Sequence, residues 1–115
     1  MAVLTVQKPV VAGVALTKQA AAAGGDSFPN TGVEFFEVTN AHATNARTVT
    51  FDSPGTCSFG LAANAAHDEA VVVAALTTKM VGPFPTPRFN DGNARVQVTY
   101  SDAAADLTVA AVAAA

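Results

Sequence analysis

The sequence predicts an all-β protein, a single-domain β-sandwich or jelly-roll-like domain with an extended N-terminal arm. Apolar and polar residues alternate with a period of two in several short segments, which is typical of strands with one buried and one solvated face. Clusters of Gly, Pro, Asn and Asp separate these segments at intervals that favour short antiparallel strands over βαβ units. The chain has 115 residues, a length that fits one domain.

Residues 95–101 show the clearest alternation, since Val96, Val98 and Tyr100 share one face while polar residues occupy the other. The same pattern predicts further strands at residues 4–7, 33–40, 47–51 and 107–112. It is weaker in the last of these because alanine fills many positions. Turn residues separate the predicted strands at residues 24–26, 29–32, 52–55 and 90–93.

Residues 61–80 are ambiguous between helix and strand. Apolar residues recur there at nearly helical spacing, and alanine favours helix. The β-branched runs at residues 71–73 and 77–78 oppose a helix because their side chains lose rotamer freedom in it. We therefore predict a loop over residues 61–68, a strand through 71–73, a turn, and another strand at 79–81. A short helix in the alanine-rich loop stays open.

Charge and hydropathy exclude several classes of function. The six Lys and Arg residues are scattered in a chain of net charge −3, which disfavours a phosphate-binding surface. No apolar run reaches the roughly 18–20 residues of a membrane helix. Residues 8–23 faintly resemble a signal peptide, but Lys18 and Gln19 stand where a cleavage region stays small and uncharged. The first 23 residues contain few turn residues and few charges, and Gly24-Gly25 follows them. We divide the chain there into an arm or edge strand at residues 1–24 and a sandwich domain at 25–115.

The candidate reactive residues are few. Cys57 and His67, with Asp68 or Glu69, could supply a nucleophile and base or a metal site. They lie within a dozen positions of one another and lack the spacing of common metal motifs. The favoured interpretation is that Cys57 is a small buried apolar residue and forms no disulfide within the chain. We expect no catalytic residue, no metal and no cofactor.

The stretch at residues 82–92 is the most distinctive. Three alternate prolines fix the backbone in an extended form and remove amide donors, with Phe84 and Phe89 beside them. The stretch is either a rigid contact surface for a partner or a crossover whose phenylalanines fill the core, and the second is favoured because phenylalanine is usually buried. The arm at residues 3–16 poses a similar choice between an added strand for a neighbouring subunit and an internal edge strand.

A core built from seven phenylalanines, valines and many alanines is thin for a domain of this size, because burying alanine contributes little. Packing against neighbours in an assembly would compensate. The candidate contact residues lie in the arm and in the proline-rich stretch: Val3, Leu4, Val6, Pro9, Val10, Val11, Pro83, Phe84, Pro85, Pro87, Arg88 and Phe89.

Short motifs along nearly the whole chain resemble the small structural proteins of tailed bacteriophages. They include Gly25-Asp26-Ser27-Phe28-x-Asn30-x-Gly32, Val38-x-Asn40, Thr48-Val49-Thr50, Gly82-Pro83-Phe84-Pro85, Arg88-Phe89-Asn90-Asp91, Val96-x-Val98-Thr99-Tyr100-Ser101 and Leu107-Thr108-Val109-Ala110. The resemblance implies a head decoration (cement) protein with a β-sandwich fold. Such a protein would be made in the host cytoplasm and would bind the outer surface of the shell formed by the major capsid protein.

This expectation describes a protein that is not an enzyme and that stabilises the shell by bridging its subunits. Self-association into dimers or trimers is a further expectation. Two alternatives stay open: a phage neck or tail structural protein, and an exported β module that binds a surface or carbohydrate.

Overall fold

A computed structural model describes residues 2–53 and 68–113. Those residues form ten strands and one helical turn. The elements are β1 (Ala2–Val3), β2 (Val6–Gln7), β3 (Gln19–Ala20), β4 (Asp26–Pro29), β5 (Glu34–Asn40), β6 (Arg47–Phe51), β7 (Glu69–Val73), β8 (Thr77–Val81), α1 (Thr86–Phe89), β9 (Arg95–Tyr100) and β10 (Leu107–Ala113).

The strands form two sheets packed face to face, which confirms the predicted all-β sandwich. The first sheet has the order β1-β4-β9-β6-β7, and the second has the order β2-β10-β5-β8, with β3 also paired to β10. From β4 onward every connection crosses from one sheet to the other except that between β6 and β7. The pairs β1–β4 and β2–β10 are parallel, and the other pairs are antiparallel.

The predicted alternation is confirmed in the central strands. In β5 the buried residues are every second one from Glu34 to Asn40, and in β6 they are Arg47, Val49 and Phe51. In β9 both Val96 and Val98 are buried. Each strand therefore contributes one face to the space between the sheets.

Aromatic rings fill the centre of the core. Phe28, Phe36, Phe51 and Phe84 form a closed ring of contacts, with centroids 4.8 to 5.7 Å apart. Phe89 packs edge-on against Phe84 at 5.3 Å. Because each ring buries a large apolar area, five phenylalanines supply the volume that the many alanines do not.

Residues 69–81 form the two strands β7 and β8, as the β-branched runs predicted. They are joined at Leu76, which is exposed and has a left-handed backbone with φ of 57°. The rest of the predicted loop, at residues 61–67, lies outside the described residues. The helical turn α1 was not predicted; Pro87 fits there because proline is tolerated in the first turn of a helix.

The start of the chain differs from the prediction of one strand over residues 4–7. Val3 ends a short strand in the first sheet, and Val6 begins another in the second sheet. Leu4 lies between them and is only 2% exposed. Its side chain is buried in the core and its backbone N–H donates to the Ser27 carbonyl at 2.7 Å. The chain therefore passes from the first sheet to the second at a residue whose side chain lies in the core.

Candidate interaction site

Among residues 2–53 and 68–113, the segment between β2 and β3 carries the largest group of exposed apolar side chains that adjoin one another in sequence. We call residues 8–16 the apolar loop; Lys8 is its one charged residue. Val11 is fully exposed, Val10 and Val14 are more than half exposed, and Leu16 is 36% exposed. Since isolated exposed apolar residues are ordinary but grouped ones mark contact surfaces, the loop is the first candidate for an interaction site.

A tight turn forms the tip of the loop. The Gly13 backbone N–H donates to the Val10 carbonyl at 2.8 Å, which places Val11 and Ala12 at the end of the turn. Gly13 has a φ of 93°, a left-handed conformation that glycine adopts without strain. The turn therefore holds the Val11 side chain out into solvent.

Polar contacts fix the base of the loop. The Gln7 side chain bonds Thr17 twice: its amide nitrogen donates to the Thr17 carbonyl at 2.7 Å, and its oxygen accepts the Thr17 N–H at 2.8 Å. The Lys18 ammonium contacts a Glu37 carboxylate oxygen at 2.9 Å and donates to the Thr39 hydroxyl at 2.9 Å. Because both ends are tied to each other and to β5, the loop loses less conformational entropy when a partner binds it.

A shallow depression lies between the loop and the outer face of the second sheet. Its volume is about 140 Å³, and its lining residues are Gln7, Pro9, Val14, Leu16, Glu37, Met80 and Val112. Sites for small molecules are usually about 300–1,000 Å³. The depression therefore suits one apolar side chain of another protein better than a substrate or a cofactor.

The other candidates in the arm are divided between surface and core. Val3 is half exposed on β1, Val6 is partly buried on β2, and Pro9 is exposed in the loop. Leu4 belongs to the core. The arm thus combines an edge-strand part, residues 2–7, with the exposed loop.

The proline-rich stretch presents its prolines to solvent and its phenylalanines to the core. Pro83, Pro85 and Pro87 are exposed, whereas Phe84 is 2% and Phe89 3% exposed. The structure thus shows the crossover arrangement, in which the phenylalanines fill the core. As a correction, Leu4, Phe84 and Phe89 are core residues of the folded chain rather than exposed contact residues.

Polar contacts hold this stretch against the body of the protein. The buried Asn30 amide donates to the Phe84 carbonyl at 3.0 Å and to the Asn90 side-chain oxygen at 2.7 Å. The Arg88 guanidinium lies 3.6 Å from a Glu69 carboxylate oxygen and stacks over Phe89 at 4.6 Å from the ring centroid. Arg88 is thus engaged within the chain, and the three prolines carry the exposed side chains of the stretch.

The buried titratable groups serve the fold. The Tyr100 hydroxyl donates to the Asp26 carboxylate at 2.6 Å, and burial, followed by this contact, raises the pKa of Tyr100. Buried Arg47 bonds Asp106, and the hydrogen bond from Arg47 holds the pKa of Asp106 below its usual value. Both contacts join residues far apart in sequence, so their effect is to fix the sandwich.

The predicted reactive group is only partly described. Cys57 and His67 lie outside the described residues. Asp68 accepts a hydrogen bond from the Ser53 backbone N–H at 2.8 Å, and burial together with the Asp68 charge raises the pKa of Asp52. Among residues 2–53 and 68–113, no group of three His, Cys, Asp or Glu residues is placed to hold a metal ion. The same residues include no helix long and apolar enough to span a bilayer.

Sequence reasoning placed the loop among the candidates but missed the residues that position it. Gln7, Thr17 and Lys18 carry no recognisable motif, and Met80 and Val112 come from distant strands. The available signal was the uncharged run at residues 9–16, which follows no alternating pattern.

The fold and the site together define an all-β sandwich that displays a fixed apolar loop beside a small depression. No family model, no curated protein and no solved structure matches the chain.

Proposed function

We propose that this protein is a non-catalytic structural component of a phage virion, a decoration protein that binds the outer surface of the capsid shell through its apolar loop. The major capsid protein is the partner, and the free protein is made in the host cytoplasm before it joins the particle. The sequence motifs supply the phage context, and the loop supplies the means of binding.

The observation that carries the proposal is the exposed Val10–Val11 turn on a fixed base. Burying a valine side chain contributes roughly 1.5–3 kcal/mol. Exposed valines on a tied loop thus offer a partner apolar area at a small entropic cost. Lys8 is the one ionisable side chain of residues 8–16, so the loop holds no second acid–base group beside it.

Bridging requires a second contact. Pro83, Pro85 and Pro87 form an exposed, rigid surface whose backbone is held by Asn30 and by the buried phenylalanines. A protein held at both surfaces would join two neighbouring capsid subunits. Many copies, each with modest affinity, would then resist rupture of the shell together because of multivalency.

The proposal is tested by co-sedimentation with shells assembled from the major capsid protein of the same phage. We expect Val11→Asp to weaken binding at least about tenfold, equivalent to about 1.4 kcal/mol. Val11 is exposed in the free protein but would be buried against the capsid, where a carboxylate loses its hydration without gaining a partner. Leu76→Asp is the matched control: Leu76 is also an exposed apolar residue in a turn, and aspartate tolerates its left-handed backbone.

Binding of Val11→Asp at the wild-type level would contradict the role of the loop. Electron microscopy of virions with gold-labelled protein distinguishes the location. Label over the whole head supports a decoration protein, whereas label confined to the neck or tail would overturn it.

A further inference from the structure

We infer that His42 makes the loop between β5 and β6 sensitive to pH: the loop is closed around the neutral imidazole and opens when the ring is protonated. This loop, residues 41–46, crosses from the second sheet to the first. The inference goes beyond the proposed function and does not depend on it, because none of these residues belongs to the apolar loop or to the proline-rich stretch.

The His42 imidazole accepts two hydrogen bonds from the backbone of its own loop. The Thr44 N–H donates to Nδ1 at 3.1 Å, and the Asn45 N–H donates to the same atom at 3.0 Å. A ring nitrogen that accepts a hydrogen bond carries no proton, so the closed loop requires the neutral ring with its proton on Nε2. Protonation places an N–H at Nδ1 opposite two other N–H groups, and both hydrogen bonds are then lost.

Contacts that do not involve the ring fix the ends of the loop. The Ala41 N–H donates to the Asp106 carbonyl at 2.8 Å. The buried Asn40 amide donates to the Asn45 carbonyl at 2.8 Å and to the Val73 carbonyl at 3.1 Å. Because Val73 belongs to β7, this bond joins the two sheets whatever the charge on the ring. Opening is therefore confined to the middle of the loop and leaves the sandwich packed.

Charged groups from two other segments meet beside this loop. Arg47, at the start of β6, hydrogen-bonds Asp106 and lies 3.4 Å from an Asp102 carboxylate oxygen, both in the connection from β9 to β10. The hydrogen bond from Arg47 lowers the pKa of Asp106, and the charge of a protonated His42 lowers it further. Asp106 therefore stays ionised between about pH 5 and pH 8, where histidine side chains commonly titrate.

The ring thus has two competing sets of partners. The attraction between His42 and Asp106 is mutual, so the carboxylate stabilises the protonated ring, whereas the Thr44 and Asn45 amides stabilise the neutral ring. Residues 43–46 are exposed, so amides that the ring releases are hydrated without a burial cost. Protonation of one side chain thereby selects between two arrangements of the loop.

NMR of the full wild-type chain between pH 8 and pH 5 tests the inference. The amide signals of Thr44 and Asn45 should shift with the same midpoint as the His42 ring signals. Protection of these two amides from hydrogen exchange, relative to an unstructured chain at the same pH, should fall at least about tenfold, since two hydrogen bonds of ordinary strength are lost.

His42→Asn separates the hydrogen bonds from the charge. An asparagine side-chain oxygen accepts backbone N–H groups two and three residues further along the chain, and it does not titrate in this range. The variant should therefore keep the Thr44 and Asn45 amides protected at pH 5. The same substitution at the other histidine of the chain, His67→Asn, is the control and should leave the wild-type pH response unchanged.

Four results would overturn the inference: Thr44 and Asn45 amides that do not respond to pH, a response whose midpoint differs from that of the His42 ring, a response that persists in His42→Asn, or one that His67→Asn abolishes. If asparagine fails to protect the amides at any pH, the wild-type midpoints decide alone.

Discussion

The apolar loop at residues 8–16 and the proline-rich stretch at 82–92 have similar compositions, but the first is exposed and the second is partly buried. Each contains proline, several apolar residues and no more than two charged residues, so the sequence offered both as contact surfaces. The loop presents Val10 and Val11 to solvent, while the stretch turns Phe84 and Phe89 into the core. The difference lies in the residues that anchor each one.

Two side-chain amides show how the anchoring works. Gln7 is on an edge strand and bonds Thr17 at an exposed position, which closes the loop outside the sheets. Asn30 directly follows β4 and is buried, and its side-chain amide donates a hydrogen bond to the Phe84 carbonyl, which holds the backbone of the stretch against the core. A segment's apolar composition thus does not decide whether it is core or surface; the position of its polar anchors does.

The largest effect should come from Phe84→Ala, which removes the ring that contacts Phe28, Phe51 and Phe89. We expect a loss of about 3–5 kcal/mol in the free energy of unfolding, because large-to-small changes in a core leave a cavity. Chemical denaturation measures it. The exposed neighbour Pro85→Ala is the control and should change stability far less. A loss below about 1 kcal/mol for Phe84→Ala would show that the stretch is not part of the core.

A smaller effect should appear in the pH dependence of stability at Glu34. Burial alone would raise the pKa of this carboxyl, but hydrogen bonds from the Thr31 N–H and hydroxyl and from the Val33 N–H outweigh it and lower the pKa below 4.5. A lowered folded-state pKa stabilises the protein above the unfolded-state value of 4.5, and this stability is lost as the pH falls through the folded value.

Urea unfolding of the wild type and Glu34→Gln between pH 7 and pH 3 measures this contribution. The variant should lose less stability than the wild type on acidification. Glu69→Gln is the control, since Glu69 is exposed and its 3.6 Å ion pair with Arg88 is a surface contact that contributes little to stability. Identical acid sensitivity in the wild type and Glu34→Gln would contradict the assignment.

The sequence predicted those parts of the fold in which one face of a strand meets the core. Alternation located β5, β6 and β9, and β-branched runs located β7 and β8. It failed at Leu4, because a two-residue strand leaves no period to detect. The sequence did not predict the strand order either. β2 and β10 lie about a hundred residues apart and pair through backbone groups, which are the same for every residue type and so leave no signal in the sequence.

The interaction site was predictable only as a region. The uncharged run at residues 9–16 is visible in the sequence. Its position depends on contacts that the sequence does not reveal, from Gln7 to Thr17 and from Lys18 to Glu37 and Thr39. The prolines at 83, 85 and 87 were compatible with either a buried or an exposed Phe84. They fix the backbone conformation, but they do not determine which face of the stretch packs against the core.

We propose that the apolar loop at residues 8–16 is the part of this protein that binds its partner. Hydrogen–deuterium exchange of the wild-type chain, free and bound to capsid shells, tests it most directly. The account predicts slower exchange on binding in residues 8–17. Protection confined to other segments, with residues 8–17 unchanged, would contradict it.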